Sequence, residues 1–110
     1  DIETIPVLTK LLEDEEPNIR WDAAIGLAKM GEKSSIPIIE NLMDRNYLMT
    51  FPELDYNEIN KVILVAIETT ALIKDSRFKS KLILLAESDE NLTVRDAAIK
   101  TLKTSYDRVI

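Results

Sequence analysis

The stretch "IRWDAAIGL" at residues 19–27 returns near the other end of the chain as "VRDAAIKTL" at residues 94–102. A chain of 110 residues that spells one helix face twice is built from units that stack on one another. In both copies an arginine is followed by small or apolar residues at the same steps: Ala23, Ala24 and Leu27 after Arg20, and Ala98, Ile99 and Leu102 after Arg95. Each arginine also has an aspartate six residues before it, Asp14 and Asp89. A second phrase recurs with an offset of 31, "IPVLTKLLED" from Ile5 and "IPIIENLMD" from Ile36.

Apolar residues recur at helical spacing almost everywhere. Stripes run through Ile5, Leu8, Leu11 and Leu12, then Ile19, Ala23, Leu27 and Met30, then Ile36, Ile39, Leu42 and Met43. Further stripes cover Ile59 to Thr70, Phe78 to Leu85, and Val94 to Tyr106. "VILVAI" alone suits a buried strand, but it sits inside a longer breaker-free run and is assigned to helix. Pro6, Pro17 and Pro37 fall in first turns, where a missing N–H is harmless. Gly31 suits a left-handed C-cap. Gly26, inside a helix, implies close approach of a neighbour. Asp55 and Glu58 spell a capping-box variant. These signals predict six helices and no strand.

The pattern of aspartate, short turn, Ile/Val-Arg, small residues, Leu, Gly and then "IP" resembles HEAT repeats. It is most similar to the short bacterial type named after phycobilisome lyases, and "DEEPNIRWDAAIGLAKMGEKSSIPIIENLMD" matches one whole unit. The resemblance implies an all-α, right-handed α-solenoid of about three helical hairpins. It also implies that Asp14, Arg20, Asp89 and Arg95 stitch neighbouring repeats near the turns. A hairpin cannot bury its apolar face alone and so stacks on the next. The middle unit departs from the period. Asp44 is in register, but Thr50 stands where its arginine is expected, and Asp89 comes 45 residues later. An insertion at 45–57 accounts for the excess. The chain, 1–110, is read as a single repeat domain from a longer protein, because it opens on Asp1 and on a second-type helix without its partner.

Composition narrows the chemistry. Histidine and cysteine are absent, which removes disulfides, thiolate chemistry and the commonest general base and metal ligand. No phosphate loop or nucleophile elbow is spelled, and no metal or other cofactor is expected. A net charge of −6 repels phosphate backbones and anionic lipid, so neither nucleic acid nor direct membrane contact is expected. The runs Glu13–Glu16 and Glu87–Glu90 precede helix starts, where carboxylates favour the macrodipole.

The expected function is a non-catalytic protein-interaction scaffold in a larger bacterial protein. Its alternatives are an accessory module presenting a substrate to a separate catalytic domain, and a structural spacer. Candidate partner contacts are Tyr47, Met49, Phe51, Leu54 and Tyr56 in the insertion, which otherwise plugs a gap between repeats. Glu40 and Lys79, with Glu3, Lys10, Asn41 and Lys81, are candidates on a concave face. Trp21 is assigned to packing. Uncapped ends imply weak self-association, and a cytoplasmic location is slightly favoured over a periplasmic or membrane-anchored parent.

Overall fold

The computed structural model describes residues 4–107. It is all-helical, with seven α-helices among the described residues: α1 (Thr4–Leu11), α2 (Pro17–Lys29), α3 (Ile36–Leu42), α4 (Arg45–Leu48), α5 (Tyr56–Ile73), α6 (Lys79–Ser88) and α7 (Leu92–Ser105). Single 3-10 turns at Lys33–Ser35 and Ser76–Phe78 lead into α3 and α6. The helix beyond the expected six is α4. It is one turn long, too short for periodicity to reveal, and is started by the Asp44 side chain accepting from the N–H groups of Asn46 and Tyr47.

The helices form two layers. In one, α2, α5 and α7 lie side by side with α5 in the centre; in the other, α1 and α3 lie on α2, and α6 lies on α7. The result is a slab of 41 × 33 × 16 Å, the stacked-hairpin arrangement of a helical solenoid. Ile36, Ile39, Leu42, Ile63, Ile67, Phe78, Leu82, Val94 and Leu102 meet between the layers, each nearly or fully buried. The terminal helix α1 contributes no buried residue and leaves Val7 exposed.

Local chemistry sets the ends of these helices. Gly31, at φ +78°, ends α2. Its N–H reaches Ala28 O while Glu32 N–H reaches Leu27 O, a Schellman pair that left-handed glycine makes easy. A Cβ on Gly26 would lie 3.1 Å from Leu8 Cδ1, so its absence lets α1 settle against α2. Asp55 and Glu58 form a full capping box at the start of α5. Asn91 caps α7 by accepting from Val94 N–H. Ile19, expected in the buried stripe of α2, is exposed instead.

Candidate functional site

The segment 45–57 turns both inward and outward. Leu48 is completely buried. Phe51 stands edge-on to Trp21 and to Tyr47, each at 5.2 Å between ring centroids. Such edge-to-face pairs add about 0.5–1.5 kcal/mol beyond area burial. Leu54 is half-buried against the same core. Met49 and Tyr56 face solvent, 62% and 49% exposed. Between them opens a depression of about 280 Å³, walled also by Phe51, Leu54 and Ile59.

Arg45 forms the polar wall of this depression. Its Nε donates to Asp89 Oδ1 at 3.0 Å, and its Nη2 donates to Asp89 Oδ2 at 2.9 Å and to Asn60 Oδ1 at 2.8 Å. The guanidinium lies 5.5 Å from the Tyr56 ring centroid, a cation–π contact. The Tyr56 hydroxyl accepts from Asn91 Nδ2 at 3.1 Å. One arginine thus ties α4 to α5 and to the α6–α7 connection. The hydrogen bonds that it donates to Asp89 raise the Arg45 pKa above the ordinary arginine value, against the opposing effect of burial. A wider cleft of about 430 Å³ lies on the other side of Arg45, between Met43–Asn46 and the α6 residues Lys81, Leu84 and Ser88.

The structure therefore brings Tyr47, Met49, Phe51, Leu54 and Tyr56 together, but splits them between core contact and surface. Neither Glu40 nor Lys79 lines the smaller depression. Glu40 is half-buried on α3, and Lys79 is exposed at the start of α6. Lys10 and Asn41 are exposed, Lys81 lines the wider cleft, and Glu3 lies outside the described residues.

The four stitching candidates behave differently from one another. Arg20 Nη1 donates to the backbone carbonyls of Asp14 and Glu15, at 2.8 and 3.2 Å, while the Asp14 carboxylate accepts from Glu16 N–H. Arg20 thus braces its own turn. Asp89 does bridge distant elements, but its partner is Arg45, and Arg95 Nε is buried with no hydrogen-bond partner. Arg45 takes both Asp89 oxygens from the neighbouring unit, and no hydrogen bond joins Arg95 to Asp89. Sequence reasoning missed Arg45 because it looked six residues beyond Asp44, where Thr50 stands. The available signal was a lone cation in an otherwise acidic and apolar segment.

Among the described residues, no group of three or more side chains is placed to hold a metal ion, and no helix is long and apolar enough to cross a membrane. Comparison with known proteins adds one positive finding. No curated protein and no solved structure gives a significant match. A family model described as HEAT repeats matches residues 1–48. That match, on a chain whose helices stack in two layers, supports the HEAT repeat family.

Proposed function

We propose that this chain is a non-catalytic protein-interaction module, and that 45–57 is an insertion carrying its contact surface. HEAT repeats are generally protein-interaction scaffolds. The observation that carries the reading is the pairing of exposed Met49 and Tyr56 across an apolar depression. Protein interfaces favour aromatic residues and Met at their cores. Here the backbone beneath them is fixed by buried Leu48 and by the Arg45 node, so the surface is preformed. The spelling of residues 14–44 supports the phycobilisome-lyase type of repeat within the family.

A spacer is the second reading, favoured by the inward packing of Leu48 and Phe51. Site-specific photo-crosslinking in native lysate separates the two. A probe at Met49 is expected to trap a discrete protein, and one at Lys79 to trap none. Capture at 79 alone would move the contact surface to the second-type helices. Silence at both positions would leave the spacer.

A further inference from the structure

The charges are sorted by end of the slab. Trp21 against Phe51, and Arg45 against Asp89, gather the connections 12–16, 43–55 and 89–91 at one end. Those stretches hold nine carboxylates and one arginine, a local balance of −8. The Lys33–Asp75 ion pair gathers the turns 30–35 and 74–78 at the other end, where three cations meet two carboxylates, a balance of +1. Four of the nine carboxylates have structural work: Asp44 and Asp55 cap helices, Asp14 closes its turn and Asp89 holds Arg45. A fifth, Glu90, lies 4.0 Å from Arg45 Nε at the edge of the same node. Glu13, Glu15, Glu16 and Glu53 remain as exposed glutamates, and Glu90 also keeps most of its side chain in solvent.

Three of these glutamates lie at or beside the apolar depression. Glu90 lines it beside Met49 and Tyr56. Glu16 and Glu53 line a smaller cleft on the opposite side of the same loop, sharing Phe51 and Leu54 with it. Arg45 is shared between Asp89 and Glu90, two carboxylates against one guanidinium, so the depression presents net negative charge around an apolar floor.

We infer that this end binds a basic peptide segment with one bulky apolar side chain, seated between Met49 and Tyr56 with lysines or arginines on either side facing Glu90 and Glu53. This rests on the protein-interaction reading above and adds the chemistry of the partner. Charge complementarity selects it: an acidic partner is repelled here, and apolar area without cations leaves the glutamates unanswered. A second copy of this chain is a poorer occupant, because Lys33 and Arg77 at its basic end are already paired with Asp75.

The test is an immobilised array of peptides of roughly a dozen residues, a length that spans the loop in extended form. It varies net charge and a single leucine, phenylalanine or alanine. The expected result is retention of the protein only by basic peptides carrying leucine or phenylalanine. In solution, Met49→Ala and the pair Glu53→Gln/Glu90→Gln are each expected to weaken the best peptide about fivefold or more. Circular dichroism checks that both variants keep the fold. Raising salt from about 50 to about 300 mM should weaken binding further.

Equal retention of acidic or alanine peptides would overturn the proposal, as would no retention at all or indifference to both variants. Salt-sensitive self-association in sedimentation, abolished by Met49→Ala, would assign the site to a second copy instead. If crosslinking at Met49 traps a partner while the array stays blank, the interaction reading stands and the basic chemistry falls. Silence of the crosslink would remove the reading itself.

Discussion

Arg45 and Asp89, forty-four residues apart in the chain, face each other through two parallel hydrogen bonds of 3.0 and 2.9 Å, with side chains only 10% and 4% exposed. A planar guanidinium fits a carboxylate in this way, and lysine could not reproduce it. Removing one partner leaves the other charge buried. Asp89→Ala is therefore expected to destabilise the fold by about 3 kcal/mol, and Arg45→Lys by about 1–2 kcal/mol. Replacing both together with Met and Leu should recover most of the loss, since two buried charges also carry a desolvation penalty. Urea denaturation of the three variants checks the ordering. A double variant as unstable as Asp89→Ala would show that the node contributes through packing rather than through paired charge.

Phe51 and Met49 lie two residues apart and face opposite ways. Phe51→Ala removes the edge-on contact with Trp21 and opens a half-buried gap, at an expected cost of about 2 kcal/mol. Trp21 is the chain's single tryptophan, so its emission should shift to the red as water reaches the ring. Met49→Ala should leave both emission and stability nearly unchanged, within about 0.5 kcal/mol. Fluorescence-monitored denaturation gives both readings from one experiment.

That contrast also marks how far the sequence could be read. Helix type, the glycine cap at Gly31 and the box at Asp55 and Glu58 are local, and local spelling determines them. The close approach of a neighbouring helix at Gly26 was legible because a glycine inside a helix needs a neighbour to explain it, but that Leu8 makes the approach was not. The Arg45–Asp89 pair was not, because it joins residues whose spacing follows no period. Periodicity located the segment 45–57 by interruption, but its one-turn helix and its division into inward and outward residues depend on tertiary contacts with Trp21 and Asn60. Arg20 and Arg95 share a phrase yet differ in contacts: Arg20 bonds the carbonyls of its own turn, whereas Arg95 Nε finds no acceptor, a difference that the shared spelling does not carry.

Two helix ends use the left-handed region with different residues. Gly31 adopts φ +78° without penalty, whereas Lys74, which ends α5, holds φ 54° with a side chain. A non-glycine residue there costs about 1 kcal/mol. Lys74→Gly is expected to stabilise by about 0.5 kcal/mol at most, after the greater freedom that glycine gives the unfolded chain. Gly31→Ala should destabilise by about 1 kcal/mol through strain alone, as open space surrounds that position. Thermal melts showing shifts of the same sign for both would refute this account of the caps.

Tyr106 closes the far side of the core, where its hydroxyl donates to Thr70 O at 2.7 Å and ties the end of α7 to α5. Thr70 O also accepts from Lys74 N–H, so losing the phenol does not strand it. Tyr106→Phe should then cost only about 1 kcal/mol. Burial pushes the Tyr106 pKa above that of a free phenol. A folded-state pKa raised in this way makes a contribution that is fully present below the unfolded value, about 10, and is lost as pH rises through the folded one. The stability gap between wild type and Tyr106→Phe should stay constant from about pH 7 to 9 and shrink above about pH 10. Urea titrations at those values check it. A gap that widened with pH would mean that the folded state favours the phenolate, opposite to what a buried donor requires.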